Sequence, residues 1–172
     1  MKSNEGSAST VLLISEIVSR MKTWLDRGIR CIDQLDETQL WYRPNRKSNA
    51  IGNLVLHLVG NLRQWILGGI DNQADTRDRP AEFSAKSGYS KAQLRDLLKE
   101  TVEQCCTVIE EMPLSRILEK KTIQGIDTTI GAALVMAVSH LGLHVGQIQY
   151  IGKMLLSEAY VESWTPIDQM KK

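Results

Sequence analysis

Three histidines carry the chemistry this chain could do. His140 and His144 stand four residues apart in Ser139-His140-Leu141-Gly142-Leu143-His144-Val145-Gly146-Gln147, and His57 lies in a second apolar stretch. On a helix, residues i and i+4 share a face one turn apart. At that spacing two imidazoles can hold one metal ion. The chain has 3 histidines in all, none of them in a loop. Burying imidazoles without partners costs roughly a few kcal/mol apiece, and a shared ion offsets that cost.

Three neutral imidazoles leave a metal with an open coordination position, as in catalytic rather than structural zinc sites. Such an ion acidifies a bound water or holds a thiolate in its reactive form. Leu141 follows His140, so the His-Glu-x-x-His general base of a zinc peptidase is missing. Gln147, one turn beyond His144, is predicted to orient a bound water or support a ligand from the second sphere; a hydrogen bond between helices would explain it equally. Three core histidines without any metal are a further reading. Metal analysis of protein purified without a His-tag separates it from the others.

Other signals are poorer. Cys31, Cys105 and Cys106 form no spaced framework, which fits reduced apolar fillers in a cytoplasmic protein rather than disulfides or a cysteine zinc site. There is no Gly-rich phosphate loop and no Gly-x-Ser-x-Gly elbow. Ser139 is expected on a different helix face from His140, as a packing residue. Gly60, Gly142 and Gly146 predict close helix approach or open space beside the histidines.

The 172 residues fit one domain. A net charge of +1 from 21 basic and 20 acidic residues argues against a nucleic-acid surface. The apolar run from Ile130 to Leu156 is interrupted by polar residues, so no membrane span is expected. The N-terminus lacks a basic region followed by an apolar core, so no signal peptide is expected.

Helical periodicity must position the histidines. A first helix is predicted over Thr10–Gln34, with Val11, Ile14, Val18, Met21, Leu25, Ile32 and Leu35 inward. A second spans Ala50–Leu67, capped by Ser48 or Asn49, with Ile51, Leu54, Leu58, Leu62 and Trp65 buried and His57 beside them. Ser90 with Gln93 forms a capping-box signature for a third helix reaching Glu111. Asp127 or Thr128 caps a fourth, to Leu156, whose core line includes His144. The long polar loop Asp71–Gly88 should be pinned by Phe83, the single phenylalanine. Leu114–Asp127 is a second long connection, with some extended structure at Lys121–Gln124. The fold class is therefore all-α, a four-helix bundle over residues 10–156. Residues 1–9 are expected to be a disordered lead, and 157–172 a tail carrying Trp164 and Pro166 that packs on the bundle.

From Trp41 to Leu155 the chain resembles the DinB/YfiT-like superfamily. The resemblance rests on Arg43-Pro44, Ser48-Asn49-Ala50-Ile51-Gly52 leading to His57-Leu58, Trp65, Arg77-Asp78-Arg79-Pro80-Ala81-Glu82-Phe83, and Ser139-His140-x-x-x-His144-x-Gly146-Gln147-Ile148. It implies a four-helix bundle, often a homodimer, with a divalent metal held by His57, His140 and His144. Zinc or nickel is the expected metal; iron and copper also suit imidazoles. It further implies thiol-dependent chemistry, such as transfer of a low-molecular-weight thiol to a small-molecule substrate. Metal-dependent hydrolysis by a bound hydroxide, and a non-enzymatic metal-stabilised role in binding or stress, remain the alternatives.

Overall fold

The computed structural model describes residues 2–164. Four long helices form the bundle: α1 (Lys2–Asp33), α3 (Ile51–Leu62), α5 (Lys91–Glu111) and α6 (Ile130–Leu156). Two short helices, α2 (Glu37–Leu40) and α4 (Arg79–Ser84), lie in the connections, with a hairpin of β1 (Lys120–Ile123) and β2 (Ile126–Thr129) before α6. Each of α1 and α3 packs against both α5 and α6. The order around the bundle is therefore α1, α5, α3, α6. The connections from α1 to α3 and from α5 to α6 each cross a diagonal, which is why both are long.

The apolar stripes explain the helices. Ile14, Val18, Met21 and Ile32 on α1 meet Leu94, Leu98, Val102, Cys105 and Ile109 on α5 and Leu134, Ala137, Leu141 and Ile148 on α6 in one buried cluster. Ile51, Leu54, Leu58 and Leu62 of α3 complete it. α6 is long and apolar enough by composition to cross a membrane, but its buried side chains are the bundle core.

Three boundaries differ from the periodicity reading. α1 starts at Lys2, not Thr10, so the expected disordered lead is helical from that residue on. Extending an existing helix costs far less than nucleating one, so a polar lead can continue it. Val11 is correspondingly 51% exposed, and Ile14 is the first core residue among those whose side chains are described. At α3 the capping position is Ala50, and the side chain of Asn53 reaches back to accept the Ala50 N–H at 3.1 Å. α6 is capped by Thr129, whose hydroxyl accepts from Ala132 N at 3.3 Å. Asp127 and Thr128 are instead paired in the hairpin with Thr122 and Lys121.

α3 runs on into a π-helical turn, Arg63–Gly68, closed by Gly69 N donating to Gln64 O at 3.0 Å. Such wide turns add a residue and re-aim the side chains that follow. Here Trp65 turns into a small cluster with Ile123 and Ala133. The hairpin turn uses Gln124 (φ 56°) and Gly125 (φ 75°), the two left-handed residues of a tight two-residue turn. Beyond α6, Gln34, just past the end of α1, brackets Val161, accepting from its N–H at 2.7 Å and donating to its carbonyl at 3.0 Å. Trp164 is 47% exposed. Pro166 and the rest of the predicted tail lie outside the described residues.

The Ser90 capping box forms as predicted, with Gln93 N donating to Ser90 Oγ at 3.2 Å and Ser90 N to Gln93 Oε1 at 2.8 Å. Ser90→Ala is expected to lower stability by about 1 kcal/mol. Thermal denaturation should show a Tm lower by about 2 to 4 °C for a chain of this size.

Candidate metal centre

His57 on α3 and His140 and His144 on α6 meet at one place. Their ligand nitrogens all lie within 4.8 Å of one another. His57 Nε2 is 2.9 Å from His140 Nε2. The ring centroids are 4.4 Å apart for His140 and His144, 4.9 Å for His57 and His144, and 5.1 Å for His57 and His140. Nitrogens bound tetrahedrally to zinc at about 2.1 Å sit about 3.4 Å apart, a separation that these distances bracket.

The site is closed on one side and open on the other. His57 is buried, while His140 and His144 are half-buried. The fully buried core position is Val145 rather than His144. A 3.6-residue period places neighbouring residues on adjoining faces, so the stripe that covers Val145 leaves His144 at its edge. Burial holds the His140 imidazole down at about 4, with the charges of His144, His57 and Arg77 acting in the same direction. Burial also lowers His57, against the opposing pull of Glu82. Both rings are therefore neutral near pH 7, with lone pairs available for a metal.

A polar network behind His57 was not evident from spacing alone. His57 Nδ1 lies 3.0 Å from Glu82 Oε2. Arg77 donates to both oxygens of that carboxylate, Nε to Oε1 at 2.7 Å and Nη2 to Oε2 at 2.9 Å. Arg77 Nη1 in turn donates to Gln64 Oε1 at 2.9 Å, and Gln64 donates to Asp75 at 2.6 Å. At the hairpin turn, Gln124 meets Gln64. With its oxygen turned inward, it accepts from Arg77 Nη1 at 3.1 Å and Trp65 Nε1 at 3.2 Å.

The strap that carries Glu82, residues 71–88, is fastened to α3 through its backbone. Asn53 donates to Glu82 O at 2.9 Å and Ala85 O at 2.8 Å. Arg43 donates to Phe83 O at 2.6 Å and Ala85 O at 3.1 Å. Asp78 caps α4 by accepting from Ala81 N at 3.1 Å, with Pro80 in the first turn where its missing N–H is harmless. Phe83 pins the strap onto the site itself, its ring centroid 4.8 Å from that of His57. Gly60 leaves the space in which the Glu82 carboxylate and Arg77 lie; a Cβ there would collide with both.

The other predicted members divide. Gln147 is exposed, and its Oε1 is 2.7 Å from His144 Nδ1. A Cβ at Gly142 would press on the Trp24 indole at 3.0 Å, so this glycine serves close packing. A Cβ at Gly146 would meet nothing within 4 Å. Gly146 and Gln147 border a groove of about 620 Å³ walled by Leu143, Tyr150, Met154 and Lys47. Cys31, Cys105 and Cys106 are buried in the core, and burial raises all three thiols, Cys31 and Cys106 to about 11. None of the three is among the histidine ligands.

Comparison with known proteins gives fold and family. No curated protein matches the chain. A DinB-like protein of Bacillus subtilis, YjoA, is 18% identical, with a TM-score of 0.64 over 85% of this chain and 96% of that one. A conserved protein from Enterococcus faecalis is 15% identical, with a TM-score of 0.67 over 83% and 96%. A DinB-like protein from Bacillus cereus is also 15% identical, with a TM-score of 0.66 over 81% and 90%. The profile of a family described as "Protein of unknown function (DUF1572)" matches residues 8–167. The chain has the DinB-like all-α fold and belongs to the DUF1572 family.

Proposed function

We propose that His57, His140 and His144 hold a divalent metal through three imidazole nitrogens, leaving a position open for chemistry. The observation that carries this reading is the convergence of three imidazoles within 4.8 Å from two helices far apart in sequence. The donor set fits zinc or nickel, and also iron or copper. When bound, the ion would polarise a substrate atom or keep a thiol in its thiolate form. Gln147 accepts the Nδ1 proton of His144 and so turns the Nε2 lone pair of that ring toward the ion.

The reaction class favoured is transfer of a low-molecular-weight thiol. The chain's own cysteines are buried with raised thiols, so the sulfur has to come from a separate molecule. The groove beside Gln147, whose walls join apolar side chains to Asn45, Ser48, Asn49 and the Lys47 cation, suits a small substrate. Hydrolysis is the second reading. It needs a proton acceptor near the ion, and among the described residues the one carboxylate in contact with the histidines, Glu82, is already engaged by Arg77 and His57.

Metal analysis of untagged protein should find close to one equivalent of a transition metal. A panel of thiols with electrophiles, run beside a panel of esters and amides, then separates the two chemistries. Turnover on esters or amides without added thiol would overturn the transferase reading. Metal-loaded protein inactive on both panels would assign the ion to stability alone.

A further inference from the structure

We propose that Glu82 is a positioning residue for this site: it takes the Nδ1 proton of His57 and thereby presents the His57 Nε2 lone pair to the ion. The inference rests on the metal reading above, and it assigns a role to the strap that carries Glu82.

The argument is one of proton placement. His57 Nε2 and His140 Nε2 are 2.9 Å apart. In a metal-free pair at that distance one nitrogen carries a proton and the other accepts it. For both to bind one ion, both Nε2 atoms must be bare, and the His57 proton must then reside on Nδ1. Two groups touch that Nδ1, Glu82 Oε2 at 3.0 Å and Arg77 Nη2 at 3.1 Å.

A guanidinium only donates, and an ionised carboxylate only accepts. Glu82 therefore selects the ring with its proton on Nδ1, which can ligate. Arg77 facing the ring alone would select the other tautomer, with the proton on Nε2 aimed at His140, which cannot. The surroundings hold Glu82 to this task. Arg77 occupies both its oxygens, Gly60 leaves the room, and Asn53 ties down its carbonyl. Phe83, the next residue, packs at a tilt against the His57 ring and limits its rotation.

Removing an acceptor of this kind typically weakens metal binding by about 10- to 100-fold. Two variants test the role, measured on untagged full-length protein with zinc in competition against a chromogenic chelator. Glu82→Ala should weaken zinc binding toward the 100-fold end. Glu82→Gln keeps an oxygen that accepts from Nδ1, so it should retain more affinity, nearer a 10-fold loss. It also serves as the test if the alanine variant does not fold.

The second readout needs no metal and no activity. Imidazole ¹⁵N shifts of metal-free protein report which His57 nitrogen carries the proton. Wild-type protein should show it on Nδ1. Glu82→Ala, or Glu82→Gln to a lesser degree, should move it toward Nε2. Zinc affinity and tautomer both unchanged in the variants would overturn the proposal. Wild-type protein that takes up no zinc would sink the metal reading instead. The tautomer would still judge in that case whether Glu82 sets the His57 proton, with Nδ1–H upholding that placement and Nε2–H overturning it.

Discussion

Replacing any one of His57, His140 and His144 with alanine is expected to abolish stoichiometric metal binding, and with it the stabilisation that the ion provides. At free zinc a hundredfold above its dissociation constant, a bound ion stabilises the fold by about 2.7 kcal/mol. For a chain of this size that is a rise in Tm of about 5 to 11 °C. The wild-type protein should show the rise on adding zinc and lose it to a chelator, and none of the three variants should respond. The metal-free variants should differ from one another in a way set by their surroundings. His57→Ala deprives the buried Glu82 of a partner, so its metal-free Tm should fall furthest. His144→Ala frees only Gln147, which is exposed to water. Full zinc response in all three variants would end the three-histidine reading.

Arg77→Met is expected to be the most damaging single change away from the histidines. Its side chain is 5% exposed and that of Glu82 is 8% exposed, with 2.7 Å between Nε and Oε1. Removing one partner of a buried ion pair leaves the other charge uncompensated, at a cost of about 3 to 5 kcal/mol. Urea denaturation should show a much lower midpoint with an unchanged slope. Replacing both partners, as Arg77→Met with Glu82→Leu, removes the orphaned charge and should recover much of the loss. A single variant as stable as wild type would mean that water reaches this pair.

Most of the scaffold could be read from periodicity, and the misreadings have specific causes. The α5 stripe of Leu94, Leu98, Val102, Cys105 and Ile109 is the observed core face, because an amphipathic helix records its buried side directly in its spacing. The histidines could be found for the same reason. His144 reads as a core-line residue because Leu141, His144 and Ile148 follow the +3, +4 spacing as well as Leu141, Val145 and Ile148 follow +4, +3; the packed structure buries Val145.

Glu82 could not be singled out. It lies 25 residues from His57 in a segment without periodicity. Its approach depends on backbone bonds from Arg43 and Asn53, which no local pattern records. In the sequence, Arg77, Asp78, Arg79 and Glu82 read as ion pairs within a loop, and the structure forms one of them, Arg77 with Glu82. Only the fold shows that Arg77 and Glu82 point inward, whereas Asp78 caps a helix turn and Arg79 covers the Phe83 ring at 5.0 Å.

The three buried cysteines have a practical consequence at the bench. Alkylating and disulfide reagents attack the thiolate, and they need access to it. Cys31 and Cys105 show no exposed surface and Cys106 only 3%, with burial holding Cys31 and Cys106 near 11. The folded chain should therefore be almost silent to a colorimetric thiol reagent. In a reaction mixture, the sulfhydryl signal would follow the small molecule alone, so consumption of an added thiol can be recorded continuously without subtracting the protein. The same silence, broken on heating, makes cysteine alkylation a simple clock for opening of the core.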